Sequence, residues 1–379
     1  MNGRILYLAI ADGRGHLMRA TILRKLLIQH GIRVDIVTTS GEGVRFVEQM
    51  GHPCELLSTA LELEFDDRHC LDVRRTRARM IRYLLPSRLG RDLRRLEKMA
   101  EGADLVVNDS MHLALLFAAA WRPRMHVVQV VGENIFRTST EKVNAEGSAA
   151  LRNMGAGLVS SAFKRSFARI FHSLEPGPST DRTFRLPPVI RSPERTIQQV
   201  RTEHGDRIAA VYLNPHYSNV AIADAIERAV AQRGLRLYGV SEAFANRPGW
   251  RAADPHFVDV VSASEVLISG AGMGALEQSR VFGVPLIALL GDQPEQTENV
   301  KQRGCASVSA RSPRLAEELG FALGGLAHGA SSPSQIQAIH SAWTSAFVAL
   351  INAARTESTH GHGLAGHRNG ESERRSGAR

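Results

Sequence analysis

Short runs of consecutive apolar residues alternate with helical patterns along most of the chain. Residues 4–11 form the first run, apolar positions with helical spacing follow at 17–30, and a second run occupies 33–38. Runs without an alternating polar face are typical of parallel strands that helices cover on both sides. The same order of strand, turn, helix and strand returns at 207–240 and at 265–306. The pattern predicts an α/β fold built on parallel sheets.

A chain of 379 residues is long enough for two domains of ordinary size. A proline-rich run at 175–193 interrupts the strand and helix pattern, and it indicates a linker between the domains. We predict a first domain at 1–190, a second domain at 196–333 and a last helix at 334–355. Residues 356–379 are rich in Gly, Ser, His and Arg and lack apolar anchors, so we expect a disordered tail.

The most informative stretch is a glycine-rich turn at residues 269–274, Ser-Gly-Ala-Gly-Met-Gly, between an apolar run and a helix. Glycines let backbone N–H groups approach an oxyanion, and the following helix adds the positive end of its dipole. A pyrophosphate fits such a turn. Glu277 could accept hydrogen bonds from both hydroxyls of a ribose, and Glu295 with Gln296 could contact sugar hydroxyls. The turn alone would also fit simple chain reversal, so the signal depends on these polar residues.

The first strand ends in a second glycine turn, Gly-Arg-Gly-His-Leu-Met-Arg at residues 13–19. The glycines keep a cleft open, and His16 at a helix N-terminus faces whatever enters it. A histidine placed in this way can act as a general base or as a hydrogen-bond donor. A histidine that only packs against the end of the helix is the alternative.

Two acidic residues follow later strands of the first domain. Asp109 comes after the apolar run at 104–108 and could orient His16 or act as a base itself. It could equally be an N-cap for the next helix. Glu133 follows the next strand and is a weaker candidate of the same type.

These motifs resemble the donor-site signature of nucleotide-sugar glycosyltransferases of the GT-B fold, in which two Rossmann-like domains face each other across a cleft. The resemblance is carried by Ser269-Gly270-Ala271 with Glu277, by Gly283-Val284-Pro285 and by Glu295-Gln296-Thr297-Glu298-Asn299. The resemblance is strongest for family 28, which includes the peptidoglycan N-acetylglucosaminyltransferase and the diacylglycerol glycosyltransferases. Residues 13–19 match the GxGHxxR pattern of many such enzymes. Ala271 and Met273-Gly274 depart from the usual residues of the phosphate turn.

The resemblance implies a hexosyl- or N-acetylhexosaminyltransferase that moves a sugar from a UDP-sugar or another NDP-sugar to an acceptor hydroxyl. It further implies inversion, no metal, no cofactor besides the donor, and a last helix that crosses back to the first domain. The chain contains no Asp-x-Asp pair, which agrees with metal-independent transfer. The candidate catalytic residues are His16 and Asp109, and those on the acceptor side are Gly13, Gly15, Arg19 and Glu133. The candidate donor-site residues are Gly270, Ala271, Gly272, Met273, Gly274, Glu277, Glu295, Gln296, Asn299, Asn214, His216 and Ser218.

The charge and composition of the chain indicate which partners it could bind. The chain carries 47 basic and 38 acidic residues, and residues 68–98 alone carry eleven basic residues against three acidic ones. Pro86 divides that segment into two basic amphipathic helices. Such a surface could dock on anionic lipid, hold an anionic or lipid-linked acceptor, bind nucleic acid, or simply be solvated. No apolar run approaches the ~20 residues of a membrane span. Three scattered cysteines agree with a cytoplasmic protein, either soluble or peripheral on the inner face of the membrane.

Two other readings of the sequence stay open. A UDP-N-acetylhexosamine 2-epimerase or a nucleotide-sugar hydrolase could use the same fold, and turnover of a UDP-sugar without any acceptor would favour either. A non-catalytic protein associated with nucleic acid is the third hypothesis, which the basic helices permit.

Overall fold

The first parallel sheet is built from the N-terminal half of the chain. The computed structural model describes residues 2–11, 14–61, 64, 73–109, 111–122, 125–141, 149–180, 182–291 and 293–369. Within these ranges seven strands form the first sheet: β1 (Gly3–Ala9), β2 (Ile32–Thr38), β3 (Cys54–Leu56), β4 (Leu105–Asp109), β5 (Val127–Gly132), β6 (Ala168–His172) and β7 (Thr183–Leu186). Their order is β3-β2-β1-β4-β5-β6-β7, and every pairing among them is parallel.

Helices connect these strands and cover both faces of the sheet. They are α1 (Arg14–Ile28), α2 (Gly41–Gln49), α3 (Val73–Tyr83), α4 (Pro86–Met99), α5 (Leu113–Trp121), α6 (Glu133–Glu141) and α7 (Ala149–Arg165). The helices α3 and α4 are separated at Pro86, as the sequence predicts. The sequence pattern differs from the structure in one place that matters for the site. The amphipathic pattern at 156–171 predicts a helix over those residues, but α7 ends at Arg165 and residues 168–172 form β6.

The second sheet repeats this architecture with six strands in the described part of the chain. They are β8 (Ile208–Tyr212), β9 (Arg236–Val240), β10 (Trp250–Arg251), β11 (Val266–Gly270), β12 (Leu286–Leu290) and β13 (Ala306–Ser309), in the order β10-β9-β8-β11-β12-β13. The accompanying helices are α8 (Ile197–His204), α9 (Val220–Gln232), α10 (Phe257–Ala263), α11 (Met273–Phe282), α12 (Pro294–Arg303) and α13 (Leu315–Gly324). The predicted α/β class with two Rossmann-like parallel sheets is confirmed.

The strand order positions the site. In each sheet the order reverses between the first strand and its neighbour, at β1/β4 and at β8/β11. Helices leave such a pair of strands on opposite faces, so a crevice opens beyond their carboxyl ends, and open α/β sheets bind ligands there. Asp109 is the last residue of β4, His16 lies in the first turn of α1 directly after β1, and the glycine turn follows β11. Both groups of candidate residues therefore lie at switch points.

The last helix, α14 (Ser334–Asn369), packs on both halves of the chain. Trp343 is fully buried, and its indole N–H donates to the carbonyl oxygen of Pro187 at 2.8 Å. Arg355 reaches the first domain, where its Nε lies 2.7 Å from an oxygen of Asp104. The helix is longer than the expected 334–355. No proline follows Pro333, so helix propagation from the packed segment meets no proline break before Asn369.

The expected tail is therefore helical over residues 356–369, and its last ten residues lie outside the described part. The proline-rich run also differs from a plain linker because it contains β7, which joins the first sheet. Among the described helices, none is both long enough and apolar enough to cross a membrane.

Candidate active site

A cavity of about 640 Å³ lies between the carboxyl ends of the two sheets. Its size falls within the roughly 300 to 1,000 Å³ of typical small-molecule sites. The candidate residues that line it are Gly15, His16, Arg19, Asn214, His216, Ser218, Gly270, Ala271, Gly272, Met273, Gly274, Glu295, Gln296 and Asn299. The structure thus brings most of the predicted donor and acceptor residues to one cleft.

On the first-domain side, His16 is backed by a buried carboxylate. The Nδ1 of His16 lies 2.9 Å from an oxygen of Asp109, which has no exposed surface. The same carboxylate accepts hydrogen bonds from Arg19 at 2.6 and 2.8 Å and from the hydroxyl of Tyr7 at 2.8 Å. If Nδ1–H donates to Asp109, the neutral ring carries its acceptor on Nε2. Asp109 therefore sits behind His16, where it can orient the ring but cannot touch a substrate.

The charge on Asp109 is maintained by these neighbours. Burial alone would raise the pKa of Asp109, but the positive charge of Arg19 and the contact with His16 outweigh burial and hold the pKa well below its usual range. Burial next to this anion raises the pKa of Tyr7 well above its ordinary value. Tyr7 therefore stays a neutral donor and Asp109 a permanent acceptor. A fixed anion behind an imidazole stabilises the imidazolium that forms when the ring takes up a proton.

On the second-domain side, α11 begins directly after the glycine turn. Gly272 is its N-cap with an ordinary extended backbone (φ −70°, ψ 147°), and no side chain caps the helix there. A Cβ added at Gly272 or Gly274 would meet no atom within 4 Å, so the space before the helix is open. Gly270 differs, because a Cβ there would come within 3.1 Å of the hydroxyl oxygen of Tyr217. An open helix N-terminus presents backbone donors and partial positive charge to an anion.

Gln296 and Asn299 support this turn from below. The Oε1 of Gln296 accepts from the backbone N–H of Ala271 at 3.3 Å, and the amide of Asn299 donates to the carbonyl oxygen of Ala271 at 2.9 Å. Both residues are more than nine-tenths buried. The side chain of Gln296 thus holds the turn in place, and its contact with a sugar stays a prediction. Glu295 lies beside it on the wall of the cavity.

The loop after β8 adds polar groups on the same side. The side chain of Asn214 accepts from the backbone N–H of His216 at 3.1 Å and so shapes the turn. The hydroxyl oxygen of Ser218 is buried on the cavity wall, without a hydrogen-bond partner among the described residues. A buried hydroxyl costs free energy unless something bonds it, so Ser218 is well suited to donate to a ligand.

Glu277 is the main correction to the sequence interpretation. Its carboxylate is buried, but it faces away from the cleft and pairs with Arg280 at 2.5 Å and with Arg303 at 2.9 Å. It lines a smaller cavity of about 300 Å³ together with residues of α14. Gln278, the next residue of α11, lines the main cleft instead. The directions of successive side chains on a helix differ by about 100°. A motif that identifies the helix therefore does not determine which of its residues faces the cleft.

The sequence profile of glycosyl transferase family 1 matches residues 3–305. The chain belongs to glycosyl transferase family 1. No curated protein sequence matches it significantly. The predicted GT-B glycosyltransferase is confirmed at this level, whereas the resemblance to family 28 in particular is not.

Solved structures show that this glycosyltransferase has the GT-B fold. The glycotransferase of kitacinnamycin superposes with a TM-score of 0.57 at 16% identity, covering 95% of this chain and 99% of that one. CalG4, the calicheamicin glycosyltransferase, superposes with a TM-score of 0.56 at 18% identity, covering 95% and 98%. VinC in complex with dTDP superposes with a TM-score of 0.52 at 16% identity, covering 93% and 100%.

The remaining first-domain candidates of the glycosyltransferase have different positions. Gly15 and Arg19 line the cavity, and Arg19 forms an ion pair with Asp109. Glu133 begins α6, pairs with Arg185 at 3.3 Å and does not line the cavity, so its expected role at the acceptor is not supported. Gly13 lies outside the described residues.

Among the described residues, side-chain contacts join the domains of the glycosyltransferase on both sides of the cleft. Arg14, at the start of α1, pairs with Glu242 of the second domain at 2.8 Å. On the other side, the amide of Asn134 donates to the side-chain oxygen of Asn299 at 2.8 Å. The second contact couples α6 to the residue that holds the glycine turn. The cleft is therefore bridged by residues that also shape its walls.

Sequence reasoning missed several residues of the glycosyltransferase site. Tyr7 lies inside the first strand, where an apolar run hides its hydroxyl. Arg14 lies in the GxGHxxR motif, but only the three-dimensional structure shows its partner Glu242. His172 was missed because the residues before it, up to Phe171, are predicted to be helical, so no strand end is expected at this position. Its signal is positional, since it ends a strand next to β5 in the same sheet.

Proposed function

We propose that this glycosyltransferase transfers a sugar from a nucleoside diphosphate donor, held at the edge of the second sheet, to a hydroxyl of an acceptor that lies against the first. The observation that carries the proposal is one cavity with two opposed walls. One wall is the open N-terminus of α11, which suits a diphosphate, and the other is His16 backed by Asp109. A donor anion and an acceptor hydroxyl would meet between them.

In the proposed reaction, His16 acts as the base. Nε2 takes the proton from the acceptor hydroxyl while its oxygen bonds to the anomeric carbon, and the bond from that carbon to the diphosphate oxygen breaks with its electron pair. A single displacement of this kind inverts the anomeric centre. Asp109 stabilises the resulting imidazolium without taking its proton. General base catalysis of this type typically contributes about a hundredfold to ten-thousandfold in rate.

The leaving diphosphate needs stabilisation of its developing charge. We propose that the backbone donors at the start of α11, with the hydroxyl of Ser218, supply it in place of a metal ion. Preorganised dipoles are effective here because they need no rearrangement during the reaction. Transfer that continues unchanged in EDTA would support this assignment.

We propose that the donor carries a pyrimidine nucleotide. The sequence resemblance favours UDP, whereas two of the structures with this fold, VinC and the spinosyn rhamnosyltransferase SpnG, are complexes with thymidine diphosphate. Both nucleotides have the same diphosphate, so the open α11 terminus does not choose between them. Titration with UDP, dTDP and GDP separates the cases.

The basic segment stays a predicted docking surface. Met80 and Ile81 on α3 and Leu85, the N-cap of α4, have half-exposed apolar side chains among arginines. An anionic membrane surface or an anionic acceptor would satisfy both features. Co-sedimentation with anionic and with neutral vesicles tests the membrane form of the hypothesis, and it is independent of the donor assignment.

The donor assignment is tested at Gly272, where the fold tolerates a side chain. Asp and Asn both cap helices well, so Gly272→Asp and Gly272→Asn should both fold with an unfolding temperature close to that of the wild type. Only the aspartate adds a negative charge where the diphosphate is proposed to lie. We expect calorimetry to show nucleotide affinity at least about tenfold weaker for Gly272→Asp than for Gly272→Asn, since close like charges repel strongly in a cleft.

Equal affinities in the two variants would place the diphosphate elsewhere. Failure of the wild type to bind any of the three nucleotides would remove the donor assignment altogether. Consumption of a donor sugar that does not depend on an acceptor would revive hydrolase chemistry.

A further inference from the structure

His172 is a buried residue of the cleft that the proposed reaction does not use. It ends β6, where it pairs with Gly132 of β5, and its residue is only 2% exposed. It nevertheless lines the large cavity. Its strand lies two places beyond β4 in the sheet, with β5 between them.

Neither ring nitrogen of His172 has a hydrogen-bond partner among the described residues, although both are buried. A buried polar atom without a partner costs free energy in the unliganded protein. The fold also makes room for the ring, because a Cβ at Gly132 would come within 3.1 Å of its Cε1. A phenylalanine or leucine would fill this space at lower cost. The unpaired imidazole is therefore better explained by a partner that comes from the cavity.

The surroundings of His172 favour the neutral form of its ring. Burial, with the charge of Arg19 added, lowers the pKa of His172 well below its ordinary value, against the opposing effect of Asp109. A neutral imidazole offers one N–H donor and one acceptor nitrogen. It can therefore bond either a hydroxyl or a carbonyl, and it has little ability to attract an anion by charge.

The position of His172 suggests which molecule it meets. Asp109 and His172 lie on β4 and β6, separated by one strand, which corresponds to about 10 Å between strand axes. Apolar side chains also line this side of the cavity: Ile10 and Met18 belong to the β1–α1 region, and Ile135 follows β5, the strand between β4 and β6. A ligand that reached both His16 and His172 would need an apolar frame with two polar groups several bonds apart.

We propose that His172 binds a second polar group of the acceptor, a hydroxyl or carbonyl on an otherwise apolar molecule, and so places the reacting hydroxyl at His16. This inference rests on the proposed transferase function. It makes His172 an acceptor-binding residue that selects among acceptors, with no part in donor binding.

His112 provides a matched control. It is also buried, at 3% exposure, and both of its ring nitrogens also lack partners among the described residues. Its ring packs edge-on against Tyr83, away from the residues that line the cleft. Because each histidine is an unsatisfied buried group, His172→Phe and His112→Phe should both leave the unfolding temperature unchanged or raise it by about 1–3 °C. Only His172→Phe should alter transfer.

The test uses two acceptor probes of similar size. 7-Hydroxycoumarin carries a hydroxyl and a distant lactone carbonyl on an apolar frame, whereas 2-naphthol carries the hydroxyl alone. With the wild type and its donor sugar, we expect kcat/KM to be at least about fivefold higher for 7-hydroxycoumarin, the factor expected from one buried hydrogen bond. His172→Phe should abolish this preference through a higher acceptor KM. His172→Gln, which keeps a donor and an acceptor, should restore part of it.

Nucleotide affinity, measured by calorimetry, should stay within about twofold in every variant. The proposal is overturned if His172→Phe keeps the preference, if His112→Phe loses it equally, or if a wild type that consumes its donor transfers sugar to neither probe. A wild type that binds no nucleotide and consumes no donor fails at the proposed function instead, so the two failures are distinguishable.

Discussion

Asp109 and Glu277 are both buried carboxylates held by arginine, yet they differ in what their charge reaches. An oxygen of Asp109 lies 2.9 Å from Nδ1 of His16, so its charge acts on a residue that lines the cleft. Glu277 is enclosed by Arg280 and Arg303 and lines a separate cavity beside α14. The comparison teaches that burial and an arginine partner do not identify a functional carboxylate. The deciding feature is whether one of its partners faces the ligand.

The difference follows from the elements that carry the two residues. Asp109 ends a strand, and the ends of parallel strands meet at the edge where ligands bind. Glu277 lies a turn inside α11, where a shift of one position changes the facing direction by about 100°. Position in a strand therefore constrains the site more tightly than position in a helix does.

The largest expected effect comes from His16, the partner through which Asp109 reaches the cleft. His16→Ala should lower turnover by about a hundredfold or more, because the acceptor hydroxyl loses its base. Nucleotide affinity should stay within about twofold, since the donor side is untouched. Steady-state kinetics measures the turnover and calorimetry measures the nucleotide affinity, both on the same preparation. Turnover that survives the change would assign the base to another group.

The next effect sharpens the role of Asp109. Asp109→Asn should lower turnover by about tenfold to a hundredfold, because the ring of His16 loses its orienting anion. If Asp109 acts only through His16, adding Asp109→Asn to His16→Ala should cause no further loss of turnover. Tyr7→Phe is the control, because it removes one hydrogen bond from Asp109 and leaves the contact with His16. An additive loss in the double variant would give Asp109 a role of its own.

The same carboxylate predicts a dependence of stability on pH. Because its pKa in the folded protein lies below the ordinary value of 3.8, its ionised form stabilises the fold fully above that value, and this stabilisation is lost as the pH falls below about 4. Thermal unfolding between pH 6 and pH 3 should therefore show a smaller acid shift in Asp109→Asn than in the wild type.

Much of this arrangement could be predicted from the sequence. Glycines at 13, 15, 270, 272 and 274 mark the strand-to-helix turns, because ligand approach and tight turns both require them, and turns after parallel strands share one edge. The pairing of Asp109 with His16 is one of the three roles that the sequence offers for Asp109, beside a base and an N-cap. The direction of Glu277 and the contact between Arg14 and Glu242 depend on helix rotation and domain packing, which local patterns do not encode. His172 required a strand that the local pattern obscured.

The fourth prediction separates the two carboxylates, Asp109 and Glu277, directly. Glu277→Gln should leave nucleotide affinity within about twofold and lower the free energy of unfolding by about 2 kcal/mol, because charged hydrogen bonds to two partly buried arginines are lost. Its neighbour provides the control. Gln278→Ala removes a cleft-lining side chain and should weaken nucleotide binding about twofold to tenfold with little effect on stability. Weakened nucleotide binding in Glu277→Gln would restore the ribose contact expected from the sequence.

The smallest expected effect concerns the contact that joins the two walls, Arg14 with Glu242. The glutamate is half-exposed, at 49% of its side chain, and exposed ion pairs are worth little because water and salt screen them. Glu242→Gln should change stability by less than about 1 kcal/mol and nucleotide affinity by less than about threefold. Arg14 is different because it is buried and also lies 4.8 Å from the ring centre of Phe46. Arg14→Gln should therefore cost more than Glu242→Gln in both measurements. Equal losses of stability and affinity in the two variants would mean that the ion pair itself holds the two walls together. A steep loss of nucleotide affinity with added salt, seen in the wild type but in neither variant, would lead to the same conclusion.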